Sequence, residues 1–300
     1  METIIVNFHY IRNQKNKYDG IHPIKIDEFK KIILKLKKNY NFISPIDFLE
    51  NKIHFKKKNI LLTFDDGLKD HYKILGILKK YKIKALFFIC SKPLIGKPLD
   101  VHLIHYVRSI TNPNYLFKFL SSNFPKEFKL LNKNKNKICK FYSYDNEKNA
   151  LIKYFFNFSS KKEPVRKIIL KLILKNKISI KKFVKQNYMN EKEIVQLSNH
   201  GHSIGLHGHS HIPLNTYNNF VKNEIEKNKK IMTKITRINN FKFFAFPYGR
   251  DYALPKNLIK FRNKYKLEYC FTMNKGINKK KIIKHNIKRI NPNEISKFLK

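Results

Sequence analysis

Residues 59–64 form an unbroken apolar run that leads directly into two carboxylates and a glycine, Asp65-Asp66-Gly67. The run is too short for a core helix and fits a strand covered on both faces of a parallel sheet. Apolar residues at Tyr72, Leu75, Ile77 and Leu78 then predict a helix over 71–80. Residues 84–90 predict a second strand. Strand, helix and strand within about thirty residues make a βαβ unit, which commits the chain to a mainly parallel sheet or barrel.

The same grammar recurs on either side. Strands are expected over 3–8, 204–206, 241–246, 269–273 and 282–290, and helices over 26–38, 217–236, 254–264 and 294–299. A further helix ends near Gly201, where a glycine suits a helix C-terminus. Between 101 and 188 glycine is absent, and Lys, Phe and Ile recur in helix-like periods, as over 165–178. The expected organisation is therefore a single domain over 1–300 with a mostly helical insertion at 95–190. In such α/β folds the functional groups gather at the carboxyl ends of the strands.

A formal net charge of +43 raises the prospect of nucleic acid or an anionic surface as partner. The lysines are spread over every segment, however, and neither a paired Cys/His finger nor an aromatic-glycine RNA signature is present. We read the charge as compositional bias toward Lys, Asn and Ile, and nucleic acid is not an expected partner. An acidic glycan or peripheral contact with an anionic membrane stays open. The three cysteines, Cys90, Cys139 and Cys270, are far apart and odd in number, so they read as small buried side chains in a reducing compartment. The N-terminal apolar run is too short for a signal peptide, and no stretch is apolar enough to span a bilayer. A cytoplasmic location is the expectation.

Two clusters carry chemistry. Asp65 and Asp66 end the buried strand, and two adjacent buried carboxylates cannot both stay ionised without a cation nearby. Adjacent strand residues point in different directions, so one can bind a metal while the other faces substrate. The second cluster is His207-Gly208-His209-Ser210-His211, three imidazoles in five residues. Imidazole is the commonest ligand for borderline metals. His207 and His211 are one helical turn apart, although spacing alone also permits His207 with His209. Two histidines and one carboxylate leave a coordination position open for water, as in hydrolytic metal centres. Non-haem iron oxygenases use the same ligand set, but on double-stranded β-helix folds, not on alternating α/β order. A third piece, Pro247-Tyr248-Gly249, closes the strand at 241–246 and lets the Tyr248 backbone N–H face a developing oxyanion.

In this order the three pieces resemble the polysaccharide deacetylase family, the NodB-homology or carbohydrate esterase family 4 group. Its first motif, Thr-Phe-Asp-Asp-Gly, is present at residues 63–67. Its His-(Ser/Thr)-x-x-His motif is similar to His207–His211, and its third motif ends in Pro-Tyr-Gly, here 247–249. The similarity covers about residues 1–90 and 195–290.

The resemblance implies a distorted (β/α)7 barrel and a metal-dependent carbohydrate N-deacetylase. It implies Asp66, His207 and His211 as metal ligands, Asp65 as general base, and Tyr248 as oxyanion donor, with Pro247 and Gly249 beside substrate. His209 would be a non-ligand. The metal would be zinc, with cobalt, nickel or iron as alternatives, and the substrate an N-acetylated glycan or activated sugar precursor. The family's general acid is a histidine, often in a C-terminal motif. His285 is one candidate. His9, in Asn7-Phe8-His9-Tyr10, is preferred because it is similar to the N-terminal histidine of a motif-permuted subgroup.

Three departures stand out. Gly208 replaces the family's Ser/Thr, the Asp-Trp motif is absent, and Ala245 stands where the family has the arginine that partners its catalytic Asp. Arg250 and Arg289 are candidate substitutes. The missing arginine and the large positive charge motivate an alternative, a catalytically impaired barrel that binds a glycan or anionic partner.

Overall fold

The computed structural model describes all residues other than 1, 14–16, 19, 53–57, 143–144, 159–161, 216–217, 280–281 and 296–300. Among the described residues eight strands form one sheet: β1 (Glu2–Phe8), β2 (Asn41–Phe42), β3 (Asn59–Phe64), β4 (Leu86–Ile89), β5 (Ser203–Leu206), β6 (Phe243–Ala245), β7 (Tyr269–Phe271) and β8 (Asn278–Lys279). The order is β7-β6-β5-β4-β3-β1-β8, with β2 beside β3. Every pairing is parallel except β1 with β8.

Strand alternation sorts the core into two layers. Ile5, Leu61, Leu86, Phe88, Phe243, Ala245, Tyr269 and Phe271 fall in one cluster. Their neighbours in sequence, Ile4, Val6, Ile60, Leu62, Phe87, Ile89, Phe244 and Cys270, fall in another, together with helix residues such as Phe29, Leu78, Ile194, Ile225 and Phe261. The first cluster fills the inside of a curled sheet, and the second lies between that sheet and its helices. Strands buried on both faces read as continuous apolar runs, as seen in the sequence.

The expected strand at 282–290 is the main correction. Its segment turns at Lys284–Asn286 and makes only isolated parallel bridges, Phe271↔Ile287 and Val6↔Ile290. Ile287 N–H donates to the Cys270 carbonyl at 2.9 Å, and Ile290 N–H to the Ile5 carbonyl at 2.9 Å. The segment thus joins β7 to β1 and supplies the seventh parallel position of a distorted (β/α)7 barrel.

Other boundaries shift for local reasons. The helix expected over 71–80 splits into Lys69–Lys73 and Leu75–Lys80, with low-propensity Gly76 near the break. The helix expected at 254–264 begins only at Leu258, because Pro255 precedes it and the Asn257 side chain caps it by accepting from Lys260 N–H at 2.8 Å. The closing helix expected over 294–299 lies largely outside the described residues. The remaining helices that flank β1, β5 and β6, namely Ile26–Asn39, Glu191–Asn199 and Asn218–Thr236, follow the sequence reading closely.

The chain divides into two compact units. The barrel comprises Met1–Asn13, Pro23–Lys97 and Phe183–Lys300, and the second unit Gln14–His22 and Pro98–Lys182. The second unit contains the helices Asp100–Ile110, Pro113–Asn123, Pro125–Lys133, Lys135–Phe141, Glu147–Phe158 and Lys162–Lys175. Phe155 packs at 5.0 Å against both Phe124 and Phe128 in its core. Asp145 binds Arg108 at 3.1 Å and Lys153 at 2.9 Å. Cys90 and Cys270 are buried and Cys139 half-buried, all as free thiols. Burial pushes the Cys90 thiol pKa up and that of Cys270 to about 12, so both behave as small apolar groups.

Two histidines of the barrel couple stability to pH. His71 Nε2 donates to the His9 carbonyl at 2.9 Å, and His202 Nδ1 accepts from Ala85 N–H at 3.1 Å. Burial, opposed for His71 by Asp70 and reinforced for His202 by Lys84, lowers both to about 4. An unfolded histidine protonates near pH 6.5, so their stabilising effect is complete above that pH and is lost as pH falls toward about 4. For His71 the linkage is on the order of 3 kcal/mol. We predict that urea midpoints drop between about pH 7 and pH 5, and that His202→Gln makes the drop shallower. Equal pH slopes for wild type and variant would contradict this.

Candidate active site

The inward register of the strands continues past their carboxyl ends. On β1, Ile5 faces inward, and Asn7 and His9 follow at the same parity. On β3, Leu61 faces inward, followed by Thr63 and Asp65. His207 lies two residues beyond Gly205 on β5, and Arg289 two beyond Ile287. The period of two therefore delivers polar groups from four segments to one end of the barrel.

Asp65 is 2% exposed and Arg289 fully buried. Arg289 Nη1 donates to Asp65 Oδ1 at 2.8 Å and Nη2 to Oδ2 at 2.9 Å, a bidentate pair. Asn7 Nδ2 donates to Asp65 Oδ2 at 3.0 Å, and Asn7 Oδ1 accepts from Arg289 Nη1 at 3.0 Å and from Thr63 Oγ1 at 3.1 Å. Arg289 Nε donates to the Thr272 carbonyl at 2.9 Å. Burial disfavours an ionised Asp65, but the Arg289, His207 and His9 charges and the Arg289 hydrogen bonds outweigh it and hold the carboxyl below its usual range. The guanidinium missing at Ala245 thus comes from the barrel-closing segment. Arg250 makes no described contact with Asp65.

Asp66 turns away from Asp65 because the chain reverses there. Asp66 and Gly67 both have left-handed backbones, φ 76° and 71°, which is unusual for the aspartate and natural for the glycine. Asp66 Oδ1 lies 3.3 Å from His207 Nε2 and 3.4 Å from His211 Nε2. Ligand atoms of the three residues all lie within 4.8 Å of one another, and all three residues are buried. Donors bound tetrahedrally at about 2.0–2.1 Å would stand about 3.3–3.4 Å apart, so the set fits one divalent cation. His207 Nδ1 donates to the Ala245 carbonyl at 2.8 Å, which leaves Nε2 as the lone pair facing Asp66. That buried Nε2 has no hydrogen-bond partner among the described residues. Of the two pairings open in the sequence, His207 stands with His211. His209 Nδ1 is instead 2.9 Å from Ser91 Oγ.

The histidine loop is held by two residues the sequence reading passed over. Asn228 accepts from His207 N–H at 3.1 Å and donates to the Ile89 carbonyl at 3.0 Å, tying the ends of β4 and β5 together. Glu224 accepts from Ser210 N–H at 2.7 Å and from the Ser210 hydroxyl. Both occupy the apolar stripe of helix Asn218–Thr236, between Val221, Ile225 and Met232, and both are buried. A polar residue on such a stripe was a readable signal.

His9 Nε2 is 4.0 Å from Asp65 Oδ2, and His207 Nε2 is 3.9 Å from the same oxygen. The His9 side chain is 41% exposed, so it stands between Asp65 and solvent. His285 is partly buried in the 284–286 turn, with no described contact to Asp65. Tyr248 has φ 61°, and its ring lies 4.8 Å from that of His211. Gly249 is packed against Met273, whose N–H donates to the Gly249 carbonyl at 2.7 Å. A Cβ on Gly249 would sit 2.6 Å from that nitrogen. Pro247 lies beside Gly208.

A family model described as polysaccharide deacetylase matches residues 52–139 and 120–270, reaching through the helical segment as well as all three motifs. No curated protein matches the chain. Among solved structures it is similar to the Streptococcus pyogenes deacetylase PplD in complex with acetate, at 16% identity and TM-score 0.60, over 100% of this chain and 99% of that one. It is similar to IcaB from Ammonifex degensii at 15% identity and TM-score 0.60, over 99% and 95% of the two chains. A de-N-acetylase from Aggregatibacter actinomycetemcomitans aligns at 14% identity and TM-score 0.56, over 99% and 100%. These structural likenesses speak for the fold, and the family match spans well over half of the sequence: the chain belongs to the polysaccharide deacetylase family.

Proposed function

We propose that the protein is a metal-dependent hydrolase that removes the acetyl group from an N-acetylated amino sugar of a glycan or its precursor, releasing acetate. The observation that carries this reading is the division of labour between adjacent carboxylates. Asp65 is locked to Arg289, while Asp66 faces His207 and His211. Asp66, His207 and His211 would hold the ion, which we take to be zinc from its mixed imidazole and carboxylate donors. When bound, such an ion polarises a carbonyl and lowers the pKa of water.

The chain's own residues supply the remaining steps. Asp65, ionised beside Arg289, accepts the proton of the water that attacks the acetyl carbonyl. The bidentate guanidinium and Asn7 fix the carboxylate's direction, so little reorganisation is needed. The Tyr248 backbone N–H donates to the oxyanion that develops. His9 then protonates the leaving nitrogen from the exposed side of Asp65. Of the two grounds for the impaired-barrel alternative, the absent arginine and the large positive charge, the Arg289 pairing speaks against the first.

The test is acetate release from N-acetylglucosamine oligomers. Asp65→Asn should lower kcat by about 10²–10⁴-fold with metal retained, and His9→Ala should cost about 10²-fold or more where His285→Ala costs little. Acetate release that survives Asp65→Asn would overturn the reading. A larger loss from His285→Ala than from His9→Ala would reassign the acid.

Removing the guanidinium should raise the Asp65 pKa. Arg289→Lys should therefore shift the acid limb of the pH–rate profile to higher pH while lowering kcat. An unmoved acid limb would exclude Arg289 from the tuning of the base.

A further inference from the structure

Lys242 immediately precedes β6, and Glu268 immediately precedes β7. Both therefore lie at the barrel face opposite to the one that carries Asp65, Asp66 and His207. A cavity of about 590 Å³ opens there, lined among the described residues by five cationic side chains, Lys229, Lys242, Arg262, Lys266 and Lys284, against the single carboxylate of Glu268. Lys242 and Lys284 lie 3.4 and 3.8 Å from Glu268. Lys229, Arg262 and Lys266 have no carboxylate partner among the described residues. Arg262 Nη2 donates to Asn263 at 3.1 Å, but its Nε is buried with no hydrogen-bond partner among the described residues. Such an N–H is costly to leave unmet. Converging like charges on one concave surface also raise the local potential for an anion.

The rest of the lining narrows the ligand. Asn239, Asn240 and Asn263 add amides that both donate and accept, and Leu267 is the one apolar residue. Among the described residues no aromatic side chain lines the cavity. Single-stranded nucleic acid is held by base stacking on aromatic rings, and the described lining of this cavity supplies none. Guanidinium, ammonium and amide groups together match a ligand that carries both acids and hydroxyls.

We propose that this cavity binds an anionic saccharide, sugar residues bearing carboxylate groups, at a site separate from the catalytic centre. The inference stands independently of the deacetylase reading.

The experiment is fluorescence anisotropy of the full chain with a labelled oligogalacturonate at physiological ionic strength. The triple variant Lys229→Gln, Arg262→Gln, Lys266→Asn removes the uncompensated cations. The variant Lys31→Gln, Lys35→Gln, Lys38→Gln, on the exposed face of helix Ile26–Asn39, removes the same charge elsewhere. Binding should weaken about tenfold or more in the first and less than about twofold in the second. Lys229→Gln alone, at an exposed helix position, should already weaken it about threefold. Acetate release from a neutral chito-oligosaccharide should be unchanged in all three. Equal losses in the two triple variants would reduce the effect to the chain's overall charge and overturn the proposal. So would equal binding of a neutral oligosaccharide, or tighter binding of labelled single-stranded DNA that is lost in the first variant.

Discussion

The bidentate contact between Arg289 and Asp65 is the constraint on which the site depends. Two carboxylates stand next to each other in a buried turn, and their mutual repulsion must be met from within the protein or by a bound cation. Arg289 meets the charge of Asp65, with Asn7 and Thr63 completing the hydrogen bonds around it. Asp66 is then left to face two imidazoles. Removing one partner of a buried pair costs about 3–5 kcal/mol, because the other charge stays buried alone. Since Arg289 rides on the segment that bridges β7 to β1, the same contact draws together the closure of the barrel and the chemistry at its mouth.

Of the eight non-glycine residues with left-handed backbones among the described ones, three lie where the chemistry is proposed. Asp66, His211 and Tyr248 all adopt left-handed conformations as non-glycine residues. Such conformations are unfavourable and persist where surrounding structure enforces them. Here Glu224 and Asn228 grip the histidine loop, and Gly249 is pinned against Met273. Rigid helix and strand positions thus hold side chains whose loops would otherwise relax.

Much of this was legible in the sequence, for identifiable reasons. The run at 59–64 was read with its final boundaries, since continuous apolarity ending in Asp-Asp-Gly admits few other structures. The grouping of Asp66 with His207 and His211 follows from the motif resemblance, whereas spacing alone leaves His209 open; the backbone turn at Gly208 and His211 gives the physical reason for the pairing. Arg289 was only one of two arginines in view, because its partner lies 224 residues away and no periodicity links them. The expected strand at 282–290 is irregular: its isoleucines suggest regular pairing, but Lys284-His285-Asn286 makes a turn, and among the described residues only Ile287 and Ile290 form bridges to the sheet. Asn228 and Glu224 were hidden by the expectation that an amphipathic helix buries only apolar groups.

The most direct test of the account is the metal content of purified protein, measured by elemental analysis for wild type, Asp66→Ala, His207→Ala and Asp65→Asn. About one divalent ion per chain is expected in wild type and in Asp65→Asn, and almost none in Asp66→Ala or His207→Ala. Retention of the ion in Asp66→Ala, or its loss in Asp65→Asn alone, would contradict the separation of roles between the two carboxylates.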